Sequence, residues 1–128
     1  MALSCLIVDD NAGFLDAASQ LLERQGIAVL GVASTGDEAF RRAHELQPDL
    51  MLVDVELGAE SGFDLAQRLA DAGALERLRV VLVSMYDEAD FTDLIATSPA
   101  VGFVSKPALS AGAIYDVLGT NRRAEAGA

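Results

Sequence analysis

Apolar residues gather into five short runs, at residues 3–8, 27–33, 50–53, 80–83 and 101–104, and a polar break follows each one. The runs are rich in valine, leucine and isoleucine and do not alternate cleanly with polar residues. Such runs read as strands buried on both faces, as in a parallel sheet. Between them the apolar spacing changes to steps of three and four. Phe14, Leu15, Ala18, Leu21 and Leu22 mark a helix over residues 12–25. Ala39, Phe40, Ala43 and Leu46 mark one over 37–46, and Phe63, Leu65, Ala66 and Leu69 one over 62–72. A shorter acidic helix is expected over 88–96 and a last one over 110–118. Asn11 and Ser61 are placed to cap helix starts, Gly26 and Gly119 to end helices, and Pro48 to stop one. Residues 121–128 read as a polar, frayed tail.

Strand and helix therefore alternate five times with short connections. This predicts an α/β fold: one doubly wound, five-stranded parallel sheet with helices on both faces, flavodoxin-like. Of the two doubly wound strand orders, 3-2-1-4-5-6 and 2-1-3-4-5, five strands suit the second. One domain over residues 1–120 accounts for the pattern.

Composition narrows the function classes. A length of 128 residues with 52% hydrophobic residues supports one full core. The formal net charge of −11 disfavours direct binding of nucleic acid or an anionic membrane. It suits a cation site and basic protein partners. No apolar run has the length of a membrane span, and the start lacks a signal-peptide pattern, so a cytoplasmic location is expected. The single Cys5 lies within the first strand and reads as a small core residue.

The chemistry lies at the strand ends. The first run ends in Asp9-Asp10, the third in Asp54, the fourth in Ser84, and the fifth runs into Ser105-Lys106-Pro107. In a 2-1-3-4-5 sheet the first and third strands are neighbours at the switch point, where ligands bind. Three carboxylates would converge there, and a bound cation is one remedy for their repulsion. Hard carboxylate oxygens with room for water suit Mg²⁺. Ser84 and Lys106 would flank Asp54 on the other side. A hydroxyl and an ammonium aimed at one carboxylate fit a phosphoryl group placed there, with Asp54 as the nucleophile.

With these motifs the chain resembles the receiver domain of two-component response regulators over nearly its whole length. The carriers are Cys5-Leu6-Ile7-Val8-Asp9-Asp10-Asn11, Asp54 with Gly62 eight positions on, Ser84, and Gly102-Phe103-Val104-Ser105-Lys106-Pro107. The resemblance implies that Asp54 accepts a phosphoryl group from a sensor histidine kinase, a phosphotransfer protein or a small phosphodonor. Asp10 and Asp9 would hold Mg²⁺ with Asp54 and the backbone carbonyl of Glu56. Lys106 would contact the phosphoryl oxygens, and a cis peptide before Pro107 would aim it. Ser84 and Phe103 would form the switch, Ser84 moving toward the phosphoryl group and Phe103 turning inward. Glu56 and Tyr86 stand where the family tunes acyl-phosphate lifetime. The fourth helix, fifth strand and fifth helix would form the output face, with Tyr86, Phe91 and Tyr115 as contacts. Gly58 stands where many receivers have proline, which should loosen that loop.

Other residues read more plainly. Asp87, Glu88, Asp90 and Asp93 form a solvated helix face, or failing that a surface for a basic partner. His44 reads as a surface histidine, and Phe14, Phe40 and Phe63 as core residues. The expected partners are a kinase or phosphotransfer protein and a downstream protein, or an output domain if the chain is part of a longer regulator. A phosphorylation-linked dimer is compatible with the pattern. Two alternatives remain. A haloacid-dehalogenase-like phosphohydrolase also uses an Asp nucleophile, Mg²⁺ and Lys, but it wants a second Asp where Glu56 stands. A phosphorylation-independent receiver-like scaffold would not need the acidic pair and Lys106, which this chain keeps.

Overall fold

The computed structural model describes residues 3–126, with side chains through residue 119. The elements follow the expected alternation: β1 (Ser4–Val8), α1 (Ala12–Arg24), β2 (Ala28–Ala33), α2 (Gly36–Leu46) and β3 (Leu50–Asp54). A two-stranded hairpin follows, β4 (Glu56–Leu57) and β5 (Glu60–Ser61). The chain continues with α3 (Gly62–Asp71), β6 (Arg79–Ser84), α4 (Thr92–Thr97), β7 (Gly102–Ser105) and α5 (Ala111–Ala126). The main sheet has the order β2-β1-β3-β6-β7, with every pair parallel. Setting the small hairpin aside, this is the 2-1-3-4-5 order.

Strand alternation divides the core in two. Cys5, Ile7, Leu50, Leu52, Val81, Val83 and Val104 pack beneath α1 and α5, with Leu15, Leu22, Ile114 and Leu118. Leu6, Val8, Met51, Val53, Val80, Leu82 and Phe103 face the other way, onto Leu65 and Leu69 of α3. Because side chains alternate with a period of two, the same parity sorts the strand-end residues. Asp9 continues the Cys5–Ile7 face, Asp54 the Leu50–Leu52 face and Lys106 the Val104 face. All three therefore belong to the α1–α5 side, while Ser84 and Phe103 belong to the α3 side.

The caps form as the sequence indicates. Asn11 Oδ1 accepts from the Phe14 N–H at 3.0 Å. Ser61 Oγ accepts from the Asp64 N–H at 3.1 Å and Ser110 Oγ from the Ala113 N–H at 3.0 Å. Gly26, with φ +94°, follows the end of α1.

Three local expectations are corrected. The acidic fourth helix begins as a 3₁₀ turn, Glu88–Phe91, and only Thr92–Thr97 is α-helical. There Asp87 and Asp90 form a reciprocal capping box, which commits that turn to a tight start. The last helix does not end at Gly119 but continues to Ala126. One glycine costs about 1 kcal/mol against alanine, and the arginines and alanines that follow are good helix formers. The expected tail at 121–128 is thus helical to Ala126, and residues 127–128 lie outside the described part.

The third correction concerns Gly58. The loop after Asp54 is not loosened but folded into a hairpin, with Leu57 paired to Glu60 across Gly58-Ala59. Gly58 takes φ +81° while Ala59 keeps a negative φ, the pattern of a type II′ turn. Proline cannot adopt that φ. Arg68 ties the hairpin to α2, bonding both Glu60 carboxylate oxygens (2.9 and 3.0 Å) and Asp37 (3.0 Å).

Candidate functional site

Parallel pairing sets the ends of β1 and β3 side by side, with Val8 opposite Val53. Asp9 and Asp54 follow these residues directly, and the cap residue Asn11 fixes the turn between them and α1. Carboxylate oxygens of Asp9, Asp10 and Asp54 lie within 4.8 Å of one another. Asp9 is fully buried and Asp54 is 5% exposed, while Asp10 faces solvent. Asp9 divides its two oxygens. Oδ1 accepts from the Asn11 N–H at 2.8 Å, and Oδ2 faces the Lys106 ammonium at 2.7 Å. That second contact is an ion contact without hydrogen-bond geometry, which leaves Asp9 Oδ2 buried and without a donor.

Lys106 stands 3.6 Å from Asp54 Oδ2 and is itself mostly buried. Its ammonium also lies over the Phe14 ring, 4.4 Å from the centroid. The peptide before Pro107 is trans, as are all the described bonds, so the expected cis peptide is absent. Lys106 opens a short 3₁₀ turn, Lys106–Ala108, with Pro107 in its first residues, where its fixed φ suits a helical start. That turn, with the β-strand parity of Val104, directs the lysine to the acidic edge.

Burial pushes the Asp54 carboxyl up to about 6, and the negative Asp9 beside it adds to the rise. Lys106 and the backbone N–H of Glu56 oppose it, and Asp10 adds a smaller upward push. The group is thus mostly ionised at neutral pH but held there against its surroundings. The donor set fits a hard divalent cation: three convergent carboxylates, one buried oxygen without a donor, and an open side at Asp10. Hairpin register also leaves the Glu56 carbonyl without a partner across the hairpin. The Gly62 N–H bonds to the Val55 carbonyl at 2.8 Å. The next pair, Glu56 with Ser61, is therefore of the non-hydrogen-bonded kind, and the Glu56 N–H and carbonyl face away from Ser61. Gly62 itself is required. A Cβ there would collide with the Asp54 carbonyl oxygen and lie 3.0 Å from Val55 Cα.

Ser84 is fully buried at the end of β6, and its Oγ accepts from the Tyr86 N–H at 3.0 Å. Phe103 is only 7% exposed, so it already occupies an inward position. Its ring packs on Phe91 at 6.0 Å, and Phe91 also meets Phe63 (5.9 Å) and Tyr86 (6.3 Å). Phe91 is the hub of an aromatic cluster and is itself partly buried. Tyr86 and Tyr115 are exposed, as are Glu56 and the acidic residues from Asp87 to Asp90. The sequence reading missed Phe14 as a neighbour of Lys106 and Arg68 as the hairpin clamp. Position alone held a signal for Phe14, since it stands in the first turn after the acidic pair. A groove of about 510 Å³ between the far ends of α2 and α3, lined in part by Phe40, His44 and Leu69, contains none of these strand-end residues.

The comparisons with known proteins fit this geometry. The response regulator receiver domain family matches residues 5–117. The chain belongs to that family. Receivers are the phosphorylation-dependent modules of two-component signalling, and this chain is one of them. It is 34% identical over 105 residues to a protein-glutamate methylesterase/protein-glutamine glutaminase of Bacillus licheniformis, covering 80% of this chain and 29% of that protein. It is 29% identical to the response regulator GacA of Pseudomonas viridiflava, covering 80% of this chain and 48% of the other. Among solved structures, the response regulator domain of Thermotoga maritima CheB aligns with a TM-score of 0.74 at 26% identity, covering 96% of each chain. The chain thus spans less than half the length of these two curated relatives. The match leaves the phosphohydrolase reading without support.

Proposed function

We propose that Asp54 is the phosphoacceptor of this receiver and that Asp9, Asp10, Asp54 and the Glu56 carbonyl hold Mg²⁺. The observation that carries this reading is the convergence of three carboxylates, two of them buried, beside a single buried lysine. An Asp54 carboxylate oxygen attacks the phosphorus of a phosphohistidine or of a small acyl phosphate. The P–N or P–O bond breaks, its electron pair leaves with imidazole or carboxylate, and an acyl phosphate remains on Asp54. When bound, Mg²⁺ would offset the negative charge that gathers on the phosphoryl oxygens. Lys106 supplies a second positive charge, and Ser84 a hydroxyl on the α3 side. Glu56 and Tyr86, both exposed beside the site, would set how readily water reaches the acyl phosphate.

Ser84 and Phe103 act as the switch in this reading, and the Phe91 cluster links them to Tyr86 and the surface. The donor is a sensor histidine kinase or phosphotransfer protein. The recipient of the signal is a downstream protein, or an output domain in the same polypeptide, and phosphorylation-linked dimerisation is compatible with both. Its chemistry is limited to its own phosphorylation and dephosphorylation, so it is a switch and not a turnover enzyme. Among the described residues no helix is long and apolar enough to cross a membrane. A cytoplasmic receiver over residues 1–120 that binds neither membrane nor nucleic acid directly fits this and the acidic charge. Phosphoryl transfer from acetyl phosphate to the wild type, but not to Asp54→Asn, tests the assignment.

A further inference from the structure

We propose that Phe14 is a positioning residue for Lys106, its ring face holding the ammonium at the Asp9–Asp54 edge of the site. This rests on the reading of Lys106 as the lysine that meets the phosphoryl group.

The placement follows from one four-residue cap. The Asn11 N–H binds Asp9 Oδ1 at 2.8 Å, and Asn11 Oδ1 binds the Phe14 N–H at 3.0 Å. This cap fixes a buried anion and an aromatic face on the same short stretch. The lysine arrives from β7 and meets both, Asp9 Oδ2 at 2.7 Å and the ring at 4.4 Å from its centroid. A cation within about 6 Å of a ring centroid is attracted by the ring quadrupole, more so when water is largely excluded. Lys106 is 11% exposed along its side chain, so water is largely excluded. Phe14 is half-buried and packs against the α1–α5 core, which keeps the ring in place.

A long lysine chain has many rotamers, and confinement among them decides how often its charge is in position. Asp9 holds the ammonium from one side only, at 2.7 Å and without hydrogen-bond geometry. When a cation draws on the Asp9 oxygens, the uncharged ring remains as a partner. Phe14 thus keeps the ammonium within reach of Asp54, 3.6 Å away, without occupying a carboxylate oxygen.

The test uses the full chain with Phe14 replaced by leucine, and by phenylalanines carrying one, two and three ring fluorines. Fluorine withdraws density from the ring face while nearly preserving its shape. Two readouts are taken. The first is the NMR position of the Lys106 ε-methylene protons, which the ring should shift upfield. The expected result is their return to the ordinary lysine position in Phe14→Leu; unchanged positions overturn the proposal. The second is the rate of phosphorylation by acetyl phosphate with Mg²⁺. It should fall stepwise with fluorination, to about three- to tenfold in Phe14→Leu, and recover in Phe14→Trp. Equal rates across the fluorinated series overturn the positioning role, since a merely space-filling ring would give that result. A wild type that takes no phosphoryl group refutes the phosphoacceptor reading instead, and the lysine resonances still decide this one.

Discussion

Lys106 lies closer to Asp9 than to Asp54, 2.7 Å against 3.6 Å. The fully buried Asp9 thus has the lysine as its main counter-charge within the chain. Removing one partner of a buried ion pair leaves the other uncompensated, at a cost of about 3–5 kcal/mol. Lys106→Met is therefore expected to lower stability by about 3 kcal/mol in EDTA, the low end of that range, because the site opens to solvent at Asp10. Urea denaturation checks it. Mg²⁺ should restore part of the loss, and a paired Asp9→Asn change should restore much of it. Loss of less than about 0.5 kcal/mol would be the surface-pair result and would contradict this pairing.

Asp54 makes stability depend on pH in a defined direction. Its carboxyl is raised from an ordinary 3.8 to about 6, so the fold favours the neutral form. Below about pH 3 the group is neutral in both folded and unfolded chains and contributes no penalty. As pH rises from about 3 through 6 the folded form must accept the charge, and stability falls by roughly 3 kcal/mol. In EDTA, Asp54→Asn should be more stable than the wild type at pH 7, and the difference should close as pH falls toward 3. Denaturation of both proteins across this range measures it; a constant difference would contradict the assigned cause.

The hairpin after Asp54 requires its two glycines for different reasons. Gly62→Ala drives a methyl group into the Asp54 carbonyl, so the strand end or α3 must shift. Overpacking of this kind costs about 1–3 kcal/mol. Gly58→Pro is incompatible with φ +81° and should open the turn. It should also weaken Mg²⁺ binding, because the Glu56 carbonyl loses its fixed direction. Titration with Mg²⁺ followed by NMR reads this. An affinity equal to that of the wild type would show that the hairpin does not organise the site.

The sheet order, both caps of the early helices and the acidic cluster were all legible in the sequence. Each rests on a local signal: buried strand runs, cap residues, and ionisable residues where apolar runs stop. The parity of residues along strands also held the division of Asp9, Asp54 and Lys106 from Ser84 and Phe103. What was not legible depends on packing between distant elements. The hairpin at Gly58 needs Arg68, ten residues on, to hold Glu60, and Asp37 of α2 to complete the clamp. The trans peptide at Pro107 is a backbone choice that the dipeptide Lys-Pro does not dictate. The aromatic cluster at Phe91 depends on a tight 3₁₀ turn that brings it against Phe63 and Phe103.

Cys5 gives a check on the core. It is fully buried in β1, and burial pushes its thiol up to about 12. The thiolate is the reactive form, so iodoacetamide should leave the folded protein unmodified at neutral pH. It should label the protein fully in denaturant. Rapid labelling of the folded chain would mean that β1 opens locally.

The central claim is that Asp54 takes the phosphoryl group with the help of a cation held by its acidic neighbours. Intact-mass analysis after incubation with acetyl phosphate and Mg²⁺ tests it most directly, beside Asp54→Asn and EDTA controls. A single labile phosphoryl adduct on the wild type, lost in both controls, is the predicted result. An adduct that persists in Asp54→Asn would contradict the assignment of the site. No adduct on the folded wild type, from acetyl phosphate or from histidine kinases, would favour the scaffold reading.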